Sequence, residues 1–389
     1  MSHLVAADFS TDHYPLIDHH CHGVSPADLD FAGFQALFSE SYRPPPAGTT
    51  EFQKPLGLAI RRFCAPLLDL EPSVSGEAYV ERRRALGAGE VNRRFLRAAG
   101  LDRLLVDSGL RSNEILSVAQ MGEAAARPAH EVVRIESVIE EVAKSGVDAA
   151  AFPTAFTERL TARAAGAVGL KSIVAYRCTF KIDQTAPKER EVIDAAGTWF
   201  RSAAAAGKWR LSDPTIVRHG LWVAAEICRA RKLPLQLHVG FGDPDVYMHA
   251  CDPTHFTDFI AAMERWEVAI TLLHNYPFHR EAAWLSEAFQ NVYYDVGVIQ
   301  NYAALNFTQI LAEAFEVGKF TKQLFSSDAF GLSELYYLGC ILFRRALERC
   351  LDRWLAEDMM TLGDADEIIR LVATENARRI YPLESAGTS

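Results

Sequence analysis

The sequence has 389 residues, 49% of them hydrophobic and 23% charged, which is typical of a globular protein with a substantial core. Its formal net charge of −10 argues against a nucleic-acid-binding surface, because binding to phosphates requires a basic patch. The first 15 residues lack the pattern of a signal peptide, and no apolar run is long enough to cross a membrane, so we expect neither export nor insertion. The seven scattered cysteines predict free thiols in a reducing cytoplasm.

Short apolar segments alternate with amphipathic helical segments along the chain. The apolar segments predict eight strands, at 15–20, 101–109, 130–137, 169–177, 233–240, 268–275, 291–298 and 322–329. Strands without polar alternation are buried on both faces, as they are in a parallel sheet covered by helices. We therefore predict an α/β fold, a (β/α)8 TIM barrel, rather than a doubly wound sheet.

Two connections are much longer than simple loops. The first, at about 25–100, contains a helical pattern at 76–100, and the second joins strands 4 and 5 through helical patterns at 189–207 and 213–232. Because βα connections lie at the mouth of a barrel where active sites are built, we expect both insertions to wall the site. The prediction is a single domain over 1–389.

Polar residues end several of the predicted strands, although the interior of a barrel is otherwise apolar. They are His20 and His22 on strand 1, His238 on strand 5, His274 on strand 6 and Asp328 on strand 8. Strand alternation predicts that His20 and His22 point inward together, whereas His19 and Cys21 point outward. A histidine at the end of one strand is usually a packing residue. Four histidines with one carboxylate instead suit Zn²⁺ or a similar ion, and without a metal they would be costly to desolvate.

This arrangement resembles the amidohydrolase superfamily, whose pattern is His-x-His on strand 1, an optional lysine on strand 4, histidines on strands 5 and 6 and an aspartate on strand 8. The branch found as the N-terminal part of glutamine-synthetase-like fusion proteins is the most similar. The segments that carry this resemblance are GLKSIVAYR, PLQLHVGFGDPD, LLHNYPFHREAAWL, NVYYDVG and LFSSDAFGLSELYYLG. The superfamily includes amidases, lactonases, deaminases and non-oxidative decarboxylases, so the resemblance implies a metal-dependent enzyme without defining its substrate.

The resemblance makes Lys171 a sixth candidate ligand, since in binuclear members the strand-4 lysine reacts with CO2 and bridges two ions as a carbamate. Lys171 comes early in the predicted strand, so it could also lie below the metal or at the barrel rim. In that case Lys171 would not be a ligand and the site would be mononuclear. Arg177 at the end of this strand, with Tyr176 beside it, is a candidate for binding a substrate carboxylate. Pairing of Arg177 with the next helix is the alternative.

The function that we favour is hydrolysis of a C–N bond, such as that of a γ-glutamyl amide, in a small carboxylate-bearing substrate through a metal-activated water. Asp328 would move the proton, and His274 is the second catalytic candidate. The alternatives are non-oxidative decarboxylation of an aromatic or unsaturated acid, and metal-dependent binding without catalysis. One or two ions are expected, Zn²⁺ first, with Mn²⁺ or Fe²⁺ also suited. We expect no nucleic-acid or membrane partner and a homo-oligomer.

Overall fold

A computed structural model describes residue 11 and residues 13–383. One parallel sheet of seven strands runs in chain order. The strands are β1 (Leu16–Cys21), β2 (Leu101–Asp107), β3 (Ala129–Arg134), β4 (Gly169–Ser172), β5 (Leu235–His238), β6 (Ile270–Leu273) and β7 (Val292–Tyr294). The parallel sheet, with a helix in each connection between strands, is a TIM-barrel-like α/β fold, and this level of the prediction is confirmed.

Helices fill the connections between strands. The α-helices are α1 (Phe31–Ala36), α2 (Pro55–Ala59), α3 (Gly76–Leu86), α4 (Ala88–Ala98), α5 (Val118–Ala125), α6 (Ile135–Lys144), α7 (Phe152–Ala164), α8 (Val174–Arg177), α9 (Glu189–Ala206), α10 (Pro214–Arg231), α11 (Thr257–Arg265), α12 (His279–Ala288), α13 (Ile299–Ala303), α14 (Phe307–Ala314), α15 (Ser333–Ala356), α16 (Leu362–Arg370) and α17 (Asn376–Ile380). Helices α1–α4 lie between β1 and β2, and α8–α10 lie between β4 and β5. Within the described part of the chain, no helix is both long enough and apolar enough to cross a membrane.

The predicted eighth strand, 322–329, is not a regular strand. Its backbone nevertheless bonds to both edges of the sheet. The N–H of Leu324 donates to the carbonyl of Tyr294 at 2.9 Å, and the N–H of His19 donates to a carbonyl of the segment at 3.1 Å. Asp328 has a φ of 47°, a left-handed conformation that interrupts strand geometry. The segment therefore lies between β7 and β1 without forming a continuous ladder with either.

The predicted fourth strand is too long, because β4 ends at Ser172. The side chain of Glu136 accepts hydrogen bonds from the Ser172 hydroxyl at 2.6 Å and from the Ile173 N–H at 3.0 Å. The latter bond takes a donor that would otherwise extend the strand, and the chain turns into α8. Arg177 therefore lies on a short helix and not at the end of a strand, where it was predicted.

The outward orientation predicted for His19 is also wrong. The pairing of β1 with β2 shifts register between Asp18 and Cys21, and such an irregularity breaks the simple alternation of side chains. Ile17 packs in a small cluster formed by several strands and closed by Tyr381 near the end of the described chain. The Nδ1 of His19 lies 2.9 Å from the Tyr381 hydroxyl, so the His19 ring faces this same cluster.

Candidate metal centre

Asp328 lies at the centre of a group of histidine side chains. Its Oδ1 is 3.2 Å from the Nε2 of His20 and 3.3 Å from the Nε2 of His22. Its Oδ2 is 3.5 Å from the Nδ1 of His274. These four residues come from the end of β1, from just beyond it, from just beyond β6 and from the segment after β7. The fold thus brings together side chains that are more than 250 positions apart in the sequence.

His238 lies beside this group rather than inside it. Its ring centroid is 4.7 Å from that of His274 and 4.5 Å from that of Tyr176. Two sets of potential ligand atoms lie within 4.8 Å of one another, namely His20, His274 and Asp328, and His20, His22 and Asp107. His238 belongs to neither set.

Lys171 lies within the site. Its Nζ is 2.8 Å from the Nε2 of His20 and 3.6 Å from the Oδ2 of Asp107, and its side chain is buried. The early position of this lysine in the predicted strand suggested a place below the metal. Because β4 is only four residues long, Lys171 is next to its last residue and reaches the histidines.

Sequence reasoning missed Asp107 and Arg134. The buried Asp107 carboxylate accepts hydrogen bonds from the Nε of Arg134 at 3.0 Å and from its Nη2 at 2.6 Å. The backbone carbonyl of Asp107 is 3.1 Å from the Nδ1 of His22, a contact that turns the His22 Nε2 towards Asp328. Asp107 ends β2 and Arg134 ends β3 in the structure, whereas the predicted strands continued to 109 and 137, so neither residue stood at a predicted strand end.

The electrostatic environment favours neutral imidazoles beside an ionised carboxylate. Burial, together with the charge of Lys171, lowers the pKa of His20 to about 3. Burial also lowers the pKa values of His238 and His274 well below the usual range. For Asp328, burial opposes ionisation, but the adjacent side chains of His274, His20 and His22 outweigh it and lower the pKa. These are the protonation states that bind a divalent ion.

A cavity of about 510 Å³ opens onto these side chains. The insertion between β1 and β2 contributes part of its wall, including Glu40 and Tyr42. The two predicted substrate contacts, Tyr176 and Arg177, also line it. The Nη2 of Arg177 is 3.3 Å from Glu140, so the alternative of pairing with a neighbouring helix is present as well. The other two guanidinium nitrogens of Arg177 are buried without a hydrogen-bond partner among the described residues.

Several ring nitrogens of the site are buried and lack a hydrogen-bond partner in the part of the chain that the structure describes. They are the Nδ1 of His20, the Nε2 of His238 and both ring nitrogens of His274. Leaving buried polar atoms unpaired costs free energy, and coordination of an ion by the atoms that face it would remove part of that cost. Imidazole nitrogens and a carboxylate are also the donors that Zn²⁺ and related ions prefer. The residues of the site therefore fit a divalent metal.

Comparison with known proteins agrees with this chemistry. The sequence profile described as Amidohydrolase matches residues 17–383. Protein FluG from Emericella nidulans is 28% identical over 95% of this chain, and the chain spans 46% of the length of that protein.

Two solved structures relate the fold to proteins of different activity. A protein from Lactobacillus casei assigned as a metal-dependent hydrolase is 25% identical, covers 95% of this chain and 96% of its own, and has a TM-score of 0.84. The uronate isomerase of Thermotoga maritima covers 95% of both chains with a TM-score of 0.63, but at 13% identity it bears on the fold alone. The profile match over nearly the whole chain establishes that this protein belongs to the amidohydrolase superfamily of metal-dependent enzymes.

Proposed function

We propose that the protein hydrolyses a C–N bond, of the amide type, in a small substrate that carries a carboxylate. The observation that carries this proposal is the convergence of three imidazoles within 3.5 Å of the Asp328 carboxylate at the wall of a cavity large enough for such a substrate. The proposed ligands of one divalent ion, Zn²⁺ in the first place, are His20, His22, His238, His274 and Asp328.

When bound, the ion would polarise the scissile carbonyl and lower the pKa of a water molecule towards 7. Asp328 is the residue placed to accept the proton of that water, because its pKa is lowered and its carboxylate lies within 3.5 Å of His20, His22 and His274. The same carboxyl group would then deliver the proton to the leaving nitrogen. His274, whose Nδ1 faces Asp328, helps to hold the carboxylate at the reacting centre.

Lys171 has a conditional place in the proposed site. An ammonium group has no lone pair and cannot bind a metal, so Lys171 would act as a ligand only as a carbamate. Burial lowers the pKa of Lys171, but the charge of Asp107 opposes this shift and favours the ammonium form. Without the modification, the site is mononuclear.

Arg177 and Tyr176 are proposed to bind the substrate carboxylate. Both line the cavity, and a planar guanidinium suits a carboxylate. Arg177 would need to turn towards the cavity for this, because its unpaired nitrogens are buried in the observed conformation. The resemblance to glutamine-synthetase-like fusion proteins makes γ-glutamyl amides the first compounds to test.

The test is an assay of the metal-loaded protein against amides, lactones and unsaturated or aromatic acids, with released amine and released CO2 measured separately. We expect amine release, and we expect Asp328→Asn to abolish it while the circular dichroism spectrum stays unchanged. The matched control is Asp243→Asn, which changes another carboxylate of the same cavity and should retain activity. Full activity of Asp328→Asn would contradict the proposal, and release of CO2 without uptake of water would identify a decarboxylase instead.

A further inference from the structure

A buried chain of hydrogen bonds lies beneath the proposed metal site. The Gln236 amide donates to the Tyr381 hydroxyl at 2.9 Å, and that hydroxyl is 2.9 Å from the Nδ1 of His19. The Nε2 of His19 is 2.7 Å from the Oδ2 of Asp295. If His19 donates to Asp295 through Nε2, its Nδ1 accepts from Tyr381, and every hydrogen bond of the chain has one donor and one acceptor. This series of hydrogen bonds connects His19 of β1, Gln236 of β5, Asp295 just after β7, and Tyr381 near the end of the described residues.

The chain ends on the backbone of a proposed metal ligand. The Oδ1 of Asp295 accepts hydrogen bonds from the N–H of His274 at 2.8 Å and from the N–H of Gly297 at 2.6 Å. The backbone carbonyl of Asp295 accepts from the side-chain amide of Asn275 at 2.9 Å. Asp295 therefore fixes His274 and the residue that follows it.

The backbone at this point adopts an unfavourable conformation. His274 has a φ of 72° and Asn275 a φ of 47°, so two successive residues other than glycine are left-handed. Such conformations are costly and persist only where the surroundings hold them. The hydrogen bonds that Asp295 accepts from His274 and Asn275 contribute to that constraint.

The ring of His274 depends on this backbone more than the ring of His22 does. The Nδ1 of His22 donates a hydrogen bond to the Asp107 carbonyl, and this bond orients the His22 ring. Neither ring nitrogen of His274, by contrast, has a hydrogen-bond partner in the described chain. A metal-binding histidine usually has its second nitrogen held by a neighbouring group, and His274 lacks that support. Its direction must follow from its backbone, from packing against the rings of His20 and His238, and from the Asp328 carboxylate, which lies 3.5 Å from its Nδ1 without a hydrogen bond.

We propose that Asp295, His19 and Tyr381 are positioning residues that hold His274 in the orientation in which it binds the metal. This inference rests on one part of the proposed function, namely that His274 binds the metal. It assigns the C-terminal Tyr381 a role in metal binding although its hydroxyl does not touch any proposed ligand side chain.

The central test compares Asp295→Leu with Asp295→Asn. Leucine is similar in size to aspartate but has neither of its carboxylate oxygens. Asparagine retains one oxygen, which can still accept from the N–H of His274. We expect the Zn²⁺ dissociation constant, measured by competition with a chelator, to rise about 10- to 100-fold in Asp295→Leu and clearly less in Asp295→Asn. The visible absorption of the Co²⁺-loaded protein should also change in Asp295→Leu, since it reports ligand geometry.

A milder pair of variants keeps the test decisive if Asp295→Leu does not fold. Tyr381→Phe removes one hydroxyl of the chain. The matched control Tyr294→Phe removes another buried hydroxyl, which donates to the Ala314 carbonyl at 2.8 Å. This hydroxyl is not part of the series of hydrogen bonds through His19. Both variants should lower Tm, but only Tyr381→Phe should weaken Zn²⁺ binding and alter the Co²⁺ spectrum. Equal metal affinity and identical spectra in the two variants would overturn the proposal.

His274→Ala separates this inference from the proposed function. If His274→Ala loses metal affinity while Tyr381→Phe and Asp295→Leu retain that of the wild type, the positioning role is wrong and the metal site stands. If His274→Ala binds Zn²⁺ as tightly as the wild type, the proposed ligand set itself is wrong, and the inference falls with it.

Discussion

The Nζ of Lys171 lies 2.8 Å from the Nε2 of His20, which is a nitrogen that the proposed ion needs. A nitrogen that accepts a hydrogen bond from an ammonium group has no lone pair free for a metal, so the two cations compete for His20. The carboxylate of Asp107, 3.6 Å from the Nζ, offers the ammonium group a second partner. The same carboxylate would repel a carbamate formed on Lys171.

We therefore predict that Lys171 is unmodified and that the protein binds one ion per chain. Lys171→Met should bind Zn²⁺ more tightly than the wild type at neutral pH, by about tenfold, because the competing charge is absent. Native mass spectrometry should show no added CO2, and elemental analysis should give one metal for each chain in both proteins. Two ions in the wild type, with loss of metal in Lys171→Met, would establish the carbamate instead.

Arg177 should control the affinity for the substrate carboxylate. Once an amide substrate is identified, Arg177→Met should raise KM by about 10- to 100-fold, the equivalent of one hydrogen bond to a charged group, and change kcat less. Arg210→Met is the matched control, because Arg210 lines the same cavity but is half-exposed and pairs with Asp245 at 2.8 Å. Steady-state kinetics of both variants test whether Arg177 binds the substrate carboxylate. Equal effects of the two substitutions on KM would contradict that role.

The proposed ligands could be predicted from the sequence because each stands at the end of a segment whose pattern is local. His20, His238 and Asp328 each close an apolar run, and the order of such runs predicts the edge of the sheet at which they meet. The parallel sheet follows from the same runs. Strand ends were less predictable. The end of β4 at Ser172 depends on a hydrogen bond to Glu136, which lies 36 positions earlier in the sequence.

His19 shows why alternation alone was insufficient. Its inward orientation depends on a register shift against β2 and on partners at Asp295 and Tyr381, far away in the sequence. Asp107 was missed for a different reason, because its pairing with Arg134 becomes visible only when β2 and β3 are adjacent.

Stability in mild acid should depend on His219, a residue of α10 that is not among the proposed metal ligands. Burial against Phe152 and Phe156 lowers its pKa from 6.5 to about 4. Between these values the unfolded chain binds a proton that the native protein excludes. The contribution of the neutral His219 to the free energy of unfolding is therefore complete above pH 6.5 and is lost as the pH falls through 4.

His219→Leu should remove that part of the pH dependence. The free energy of unfolding of the metal-free variant should fall less than that of the wild type between pH 7 and pH 4, by at most ~3 kcal/mol. Urea denaturation at a series of pH values measures the difference, and metal-free protein is used so that release of an ion does not contribute. Parallel curves for the two proteins would show that His219 is not the source of the slope.

The insertion between β1 and β2 should owe much of its attachment to one buried ion pair. The Nε of Arg83 on α3 lies 2.8 Å from the Oε1 of Glu334 on α15, and both side chains are fully buried. Tyr79 donates a further hydrogen bond to Glu334 at 3.3 Å. Removing one partner of such a pair leaves a buried charge without compensation, so Arg83→Met should lower the free energy of unfolding by about 3–5 kcal/mol. Arg83→Met combined with Glu334→Gln should cost less than the sum of the two single changes, because no uncompensated charge remains.

The adjacent Arg82 provides the control for this prediction. Arg82 pairs with Asp69 at the same distance of 2.8 Å, but both side chains are exposed to solvent. Arg82→Met should therefore cost less than about 1 kcal/mol. Chemical denaturation of the four variants measures these differences. A similar loss in Arg82→Met and Arg83→Met would mean that burial of the Arg83–Glu334 pair does not determine how firmly α3 is held against α15.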